Sequence, residues 1–213
     1  MIFERFSHSG IQSYKKCQAQ FKFRYIDKIY KKDEGVEAFL GKRVHESIEY
    51  LYNQVISGVV PLVDEILKVH RSLWKEKWHD RVAIVYQNKT ARDYFYLGEE
   101  CIARFYRQNH PFKEKVIANE HEMVFLLDND ENYRIKGIVD RIDHDGDGNW
   151  EIHDYKTGKR ALSQKAADKD HQLALYQIGL MSEIDNIKSV KLVWHFIQHG
   201  IKVESTRTSE DIK

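Results

Sequence analysis

Residues 137–156 read GIVDRIDHDGDGNWEIHDYK, and this stretch predicts a β-hairpin. The side chains of residues 133–143 alternate in character as they do in a strand, and residues 145–148 supply the aspartates and glycines of a turn. Residues 150–156 then form the return strand. The remaining elements can be placed relative to this hairpin.

Three charged side chains are expected on one face of the hairpin. Residues two apart on a strand share a face, so Asp154 and Lys156 point in the same direction. A turn centred on Asp147 places Asp140 directly across from Asp154. Opposed Cβ atoms of antiparallel strands lie roughly 4.5–5.5 Å apart, where like charges are destabilising. Two carboxylates held in this way need a compensating cation, so the hairpin predicts a metal site.

The composition excludes several classes of protein. The 213 residues are 42% hydrophobic and 31% charged, which is typical of a globular domain with a sizeable core. The net charge is only +1, so a nucleic acid would have to bind a local basic patch. We find no secretory signal and no apolar run that could cross a membrane, and we expect no membrane partner. Cys17 and Cys101 do not suggest a disulfide framework, which favours a reducing cytoplasm.

The first half of the chain predicts helices. Apolar residues recur at helical spacing in residues 36–56, 62–78 and 91–106. Residues 7–32 combine a short helix, capped by Ser7 or Ser9, with interleaved aromatic and basic side chains. Such interleaving can track the phosphates of a single strand and stack its bases. The pattern alone favours the simpler interpretation, which is a half-buried element with a solvated basic face.

After Pro111 the pattern changes to strands. Residues 116–127 predict a strand before the hairpin, and residues 164–182 predict a helix after it. Residues 189–198 and then 201–204 predict two further strands. The order favours an α/β fold in which a mixed central sheet is flanked by helices as αβββαβ, with a helical N-terminal part in front.

The turn of the hairpin offers a competing interpretation. Asp143, Asp145, Asp147 and Gly148 match the first half of a calcium-binding EF-hand loop, whose twelfth position would be Asp154 in place of the usual glutamate. An EF-hand loop joins two helices, whereas both flanks here predict strands. Asp-Gly repeats are also typical of a solvated hairpin turn. Ca²⁺ binding therefore stays an alternative to the metal site on the strands.

Five motifs resemble those of the RecB-type branch of the PD-(D/E)XK nuclease superfamily. That branch carries GxxxH on a helix, a glutamate on the first strand, GxxDR on the second, DxK on the third and QxxxY on the next helix. The matching residues are Gly41 with His45, Glu120 (or Glu122), Gly137 with Asp140 and Arg141, Asp154 with Lys156, and Gln172 with Tyr176. Each motif is weak alone, but all five occur in order between residues 7 and 200.

The resemblance implies a restriction-endonuclease-like core and a deoxyribonuclease that depends on Mg²⁺ or Mn²⁺. The implied catalytic residues are Asp140, Asp154, Lys156, Glu120 (or Glu122), Gln172 and Tyr176. The implied metal ligands are His45, Asp140, Asp154 and the main-chain carbonyl of Tyr155. Lys156 would act on the attacking water. Carboxylate oxygens suit Mg²⁺, and an imidazole beside them makes Mn²⁺ a credible alternative.

DNA, as a single strand or a duplex end, is the implied partner, together with a helicase or recombination protein. The residues that we expect to contact DNA are Lys15, Lys16, Arg24, Lys42, Arg43 and Arg141. Repair, recombination, phage replication and CRISPR adaptation all use this type of domain, so the pathway stays open. A non-catalytic DNA-binding module with the same fold is the alternative to an enzyme.

Some members of this branch hold an iron–sulfur cluster with one N-terminal cysteine and three C-terminal ones. Cys17 lies near the first position, but no three-cysteine group follows and a [4Fe–4S] cluster needs four thiolates, so we expect no cluster in the chain as given. The last residues resemble the start of a helix capped by Thr208 or Ser209. We expect one nuclease domain over residues 1–213, helical in 1–110 and β-rich in 111–213, from either a short member or a protein without its tail.

Overall fold

The structure is a computed structural model that describes residues 5–29, 33–208 and 210–212. Its α-helices are α1 (His8–Lys16), α2 (Gln18–Phe21), α3 (Val36–Ile56), α4 (Val63–Lys77), α5 (Ala91–Asn109), α6 (Gln164–Ala167) and α7 (His171–Glu183). Its strands are β1 (Glu34–Gly35), β2 (Val82–Ala83), β3 (Val116–Leu126), β4 (Arg134–His144), β5 (Asn149–Lys156), β6 (Ser189–Phe196) and β7 (Ile201–Thr206). Positions 30–32 of the predicted basic segment, and the predicted cap Ser209, lie outside the described residues.

Five of the strands form one mixed sheet in the order β3-β4-β5-β6-β7. β5 and β6 run parallel, whereas the other neighbouring pairs are antiparallel. Parallel neighbours need a crossover connection, and the segment between β5 and β6 supplies one that contains α7. β1 and β2 form a separate short parallel pair. The predicted mixed sheet with flanking helices and a helical N-terminal part is therefore confirmed.

Apolar cores cover both faces of this sheet. One core packs α3, α4 and α5 against the sheet and includes Phe39, Tyr52, Phe105 and Tyr155. The other core includes Leu173 of α7 and the apolar side chains of β3 to β7 that face it. None of the described helices is long and apolar enough to cross a bilayer.

The central hairpin follows the predicted register as far as the pair Arg141–His153. The same register would next pair Asp140 with Asp154. At that level the main-chain N–H of Tyr155 donates instead to Asp140 Oδ2 at 2.6 Å. A side chain thus replaces a hydrogen bond between the strands, and β4 and β5 separate where the two carboxylates lie.

Strands β3 and β4 also change their buried face at this level. Val139 and Ile142 both join the core that contains Leu173, although residues three apart in a regular strand point to opposite faces. On β3, Glu120 lies opposite Asp140 and has a left-handed φ of +50°. Alternation is therefore interrupted in both strands beside the candidate site.

The predicted helix over residues 164–182 is wrong in its continuity. α6 ends at Ala167 and α7 begins at His171. The Asp170 carboxylate accepts hydrogen bonds from the main-chain N–H groups of Gln172 and Leu173, which is an N-cap for a new helix. This cap fixes the position of Gln172 on the first turn of α7.

Candidate active site

Three candidate metal ligands from three different elements meet beside the separated strands. His45 of α3, Glu120 of β3 and Asp140 of β4 place one ligand atom each within 4.8 Å of one another. His45 Nδ1 lies 3.6 Å from Asp140 Oδ1, and His45 Nε2 lies 2.7 Å from the carbonyl oxygen of Tyr155. The structure therefore brings together His45, Asp140, Glu120 and the Tyr155 carbonyl.

A second polar group adjoins the first on β5 and α7. Lys156 Nζ donates to Asp154 Oδ1 at 2.8 Å and to Gln172 Oε1 at 3.0 Å. Gln172 Nε2 donates to Asp154 Oδ1 at 3.0 Å and to the Tyr176 hydroxyl at 3.3 Å. Asp154 is thus held by Lys156 and Gln172, and Gln172 also joins Lys156 to Tyr176.

The pKa values show how strongly negative charge is concentrated here. Burial lowers the pKa of His45, but the Asp140 and Asp154 carboxylates outweigh it and raise the pKa to about 9. Burial and the Asp140 charge raise the pKa of Glu120 to about 7. Burial raises the pKa of Asp154 to about 6, although Lys156 acts in the opposite direction. Carboxylates that share a buried site without a cation destabilise one another in this way.

The donor set fits a hard divalent cation. It consists of carboxylate oxygens, one main-chain carbonyl and one imidazole, which suits Mg²⁺ or Mn²⁺. Asp154 Oδ2 is buried and accepts no hydrogen bond. Lys156 Nζ lies 2.8 Å from this oxygen and forms an ion pair with it, but the hydrogen bond from Lys156 goes to Oδ1. A buried carboxylate oxygen with a free lone pair is what a cation at this site would require.

Two motif glycines permit close approaches at the site. A Cβ atom on Gly41 would lie 2.9 Å from Thr157 Oγ1, and one on Gly137 would lie 2.6 Å from Cε1 of Tyr176. Both distances are shorter than van der Waals contact. Glycine at these positions lets α3 reach the end of β5 and lets the Tyr176 ring lie on β4.

Given the nuclease activity that the five motifs imply, substitution of Gly137 by alanine is expected to displace Tyr176 and to lower the rate of DNA cleavage about 10-fold, because small errors in the position of a site cost large factors in rate. Gly158→Ala is the matched control, since its Cβ would enter open space. The measurement is the initial rate of DNA cleavage together with the melting temperature of each variant. Equal rates for the two variants would contradict this role of Gly137.

The structure distinguishes the two glutamates of β3. Glu120 joins His45 and Asp140, whereas Glu122 is exposed and forms an ion pair with Lys136 at 2.7 Å. The left-handed backbone at Glu120 means that the two side chains do not share a face. The placement favours Glu120 as the glutamate of the site.

Two of the six predicted DNA contacts need correction. Arg141 is 1% exposed, and its guanidinium bonds the Asp143 carboxylate and the Tyr52 hydroxyl inside the protein. Arg43 is 5% exposed and forms a bidentate ion pair with Glu46, in which both N–O distances are 2.7 Å. Neither side chain can reach a DNA backbone. The other four, Lys15, Lys16, Arg24 and Lys42, are exposed.

The turn does not provide the geometry of a calcium loop. Both carboxylate oxygens of Asp145 accept hydrogen bonds from Asn149, and one of them also accepts the main-chain N–H of Asp147. Asp143 is buried and ion-paired with Arg141. The carboxylates of Asp143 and Asp145, which would be the first and third positions of an EF-hand loop, are thus engaged within the protein, so the Ca²⁺ alternative loses its basis.

Two acidic residues near the site were not assigned from the sequence. Glu46 and Glu49 line a cavity of about 390 Å³ together with His45 and Glu120. The available signal was the spacing of four residues between His45 and Glu49, which places both on one face of α3. Nothing in the sequence showed that this face would meet β3.

Comparison with known proteins gives a family and similar solved structures. A family model described as the PD-(D/E)XK nuclease superfamily matches residues 5–212. A crystal structure from Eubacterium rectale, of a protein described as a candidate exonuclease, is similar with a TM-score of 0.56 and 14% identity. The similarity covers 98% of this chain and 74% of that one, and at this identity it concerns the fold. No curated protein matches the chain in sequence.

Proposed function

The chain belongs to the PD-(D/E)XK nuclease superfamily, and from that premise we propose that it is a Mg²⁺- or Mn²⁺-dependent deoxyribonuclease that hydrolyses phosphodiester bonds. The observation that carries the proposal is the convergence of His45, Glu120 and Asp140 beside the Asp154–Lys156 pair. A RecB-type exonuclease in repair, recombination, or phage or CRISPR DNA processing is the role that fits the ordered motifs.

We propose His45, Asp140, Asp154 and the Tyr155 carbonyl as the metal-binding groups, supported by Glu120. When bound, such an ion would lower the pKa of a coordinated water molecule and would place positive charge beside the phosphoryl oxygens. The Asp140 side chain has a second task, because its Oδ2 accepts the Tyr155 N–H and so fixes the Tyr155 peptide.

Lys156 is the proposed donor to the attacking water and to a phosphoryl oxygen. Its ammonium already donates to Asp154 and Gln172, which holds it beside the Asp154 carboxylate. Positive charge placed where negative charge develops in the transition state accelerates the reaction. Gln172 positions Lys156, and Tyr176 supports Gln172 through the hydroxyl. Attack in line on phosphorus would leave a 5′-phosphate and a 3′-hydroxyl.

We propose that the helical part (1–110) and the β-rich part (111–213) act as one nuclease domain. His45 belongs to the first part, whereas the other proposed ligands belong to the second, and the two are joined by the hydrogen bond between His45 and Tyr155. A helicase or recombination partner and a reducing cytoplasmic setting, consistent with free Cys17 and Cys101, belong to the same proposal.

The test is cleavage of end-labelled single-stranded and duplex DNA with Mg²⁺, with Mn²⁺ and with a chelator. The proposal predicts shortened products with 5′-phosphates in the presence of either metal and intact DNA with the chelator. A non-catalytic DNA-binding module predicts retarded but intact DNA under all three conditions. That second result would overturn the proposed function.

Bound metal is expected to stabilise the folded protein through the same carboxylates. At 100 times its dissociation constant a ligand adds about 2.7 kcal/mol to the free energy of unfolding. For a chain of this size that corresponds to a rise of roughly 5–10 °C in melting temperature. Glu120→Gln should lose most of the rise, since it removes a carboxylate from the cluster.

Glu122→Gln is the matched control for this measurement. It changes the same residue type on the same strand, at an exposed ion pair with Lys136. Thermal melts of both variants with and without Mn²⁺ make the comparison. If the two variants keep the same metal-induced rise, Glu120 has no part in metal binding.

A further inference from the structure

An aromatic cavity of about 370 Å³ lies beside the N-terminal helices, away from the candidate ligands. Its wall is almost wholly apolar and includes Ile11, Tyr14, Phe21 and Tyr25. The rings of Tyr14 and Phe21 meet edge to face at 5.3 Å, and those of Phe21 and Tyr25 stack at 5.1 Å. The volume falls in the range of roughly 300–1,000 Å³ that is usual for small-molecule sites.

The segment that forms this cavity has a larger net positive charge than the chain as a whole. Residues 5–29 contain six basic side chains and one acidic side chain, a net charge of +5, whereas the whole chain has a net charge of +1. Lys15, Lys16 and Arg24 are exposed. Arg5 and Lys136 border the cavity itself. A local basic field of this kind attracts a polyanion although the protein as a whole is nearly neutral.

The cavity is also connected to the candidate site by the fold. Phe6 forms two main-chain hydrogen bonds of 2.7 Å with β4, to Arg134 and from Lys136. Lys136 precedes Asp140 by four residues on this strand, which is about 13 Å. On the other side, α1 packs against α7, the helix that carries Gln172. A strand a few nucleotides long could occupy the cavity and the site together.

We propose that this cavity binds one unpaired nucleobase of a single-stranded DNA substrate, with the flanking phosphates on the basic side chains of α1. Aromatic rings bind bases by stacking, and basic side chains bind the phosphates between them. A base in a duplex is already stacked and paired, so it cannot stack on the rings of this cavity. The inference rests on the proposed function for the identity of the substrate, and it adds a preference for unpaired DNA.

The experiment measures binding in the presence of a chelator, by fluorescence anisotropy with a labelled 12-nucleotide thymidine strand. Tyr14→Ala removes a half-exposed ring from the cavity wall and should weaken binding about 10-fold. Tyr14→Phe should bind as the wild type does. Phe23→Ala is the matched control, because Phe23 is an equally exposed ring in the same basic segment but outside the cavity wall. It should change binding less than 2-fold.

A second arm uses strands that each lack one base at a different position. The wild type should show one position at which the missing base weakens binding, and Tyr14→Ala should be insensitive at that position. The inference would be overturned if the affinity of the wild type did not depend on the position of the missing base. It would also be overturned if Tyr14→Ala and Phe23→Ala lost the same affinity for the intact strand. Because no cleavage is measured, tight binding of single strands by a protein that never cuts DNA would overturn only the proposed function.

Discussion

Replacing Lys156 by methionine is expected to lower the rate of DNA cleavage about 10³-fold while DNA binding is retained. Methionine keeps most of the length of the side chain but removes the ammonium that donates to Asp154 and Gln172. The lost interaction is one that matters most in the transition state, so the effect should fall on kcat rather than on KM. The measurement is the cleavage rate at saturating Mn²⁺ and saturating DNA.

The choice of condition and control matters because Lys156 also neutralises Asp154. Without Lys156 the buried Asp154 carboxylate lacks its ion-pair partner, which costs stability unless a metal ion is bound. Saturating metal and a melting curve for each protein separate this loss from the catalytic one. Lys159→Met is the control, since Lys159 lies over the Tyr86 ring and touches none of the site residues named above. Full activity in a folded Lys156→Met protein would refute the mechanism.

The elements that the sequence predicts well are those in which one face is buried throughout. The helix over residues 36–56 has the predicted bounds, because its apolar side chains repeat at helical spacing from Val36 to Val55 and pack into one core. The pairing of the central hairpin likewise follows from its turn and its alternation. These features are local. The apolar pattern predicts them without any information about the element against which the buried face packs.

The part of the site that could not be predicted depends on departures from regular structure. The left-handed backbone at Glu120 and the hydrogen bond from Tyr155 to Asp140 break the alternation that the sequence suggests. The cap at Asp170 starts a new helix inside an apolar repeat that predicts a continuous one. At Asp140 and Asp170 a side-chain carboxylate accepts a main-chain N–H, and only the tertiary structure determines that this bond forms in place of regular backbone pairing.

The burial of Arg141 is another feature that the sequence alone could not predict. Alternation alone places Arg141 on the face opposite its neighbour Asp140. That face was free for DNA as far as the sequence could tell, but α3 covers it and brings Tyr52 to the guanidinium, which lies 4.4 Å from the centre of the ring. A basic residue within a nuclease motif is therefore a structural residue here.

Arg141→Met is consequently expected to lower the free energy of unfolding by about 3–5 kcal/mol, because it leaves the buried Asp143 carboxylate without its cation. At roughly 2–4 °C per kcal/mol the melting temperature should fall by about 10 °C. Arg134→Met is the control, since Arg134 forms an exposed ion pair with Glu131, and such pairs contribute at most about 1 kcal/mol.

A double variant separates this structural role from a role in DNA binding. Arg141→Met combined with Asp143→Leu removes both charges of the buried pair and should recover much of the stability that Arg141→Met loses, because an apolar pair needs no desolvated partner. The folded double variant should bind DNA with nearly wild-type affinity, as judged by anisotropy below its melting temperature. If Arg141→Met melts like Arg134→Met and binds DNA at least 10-fold more weakly than it, then Arg141 contacts DNA and its buried placement is wrong.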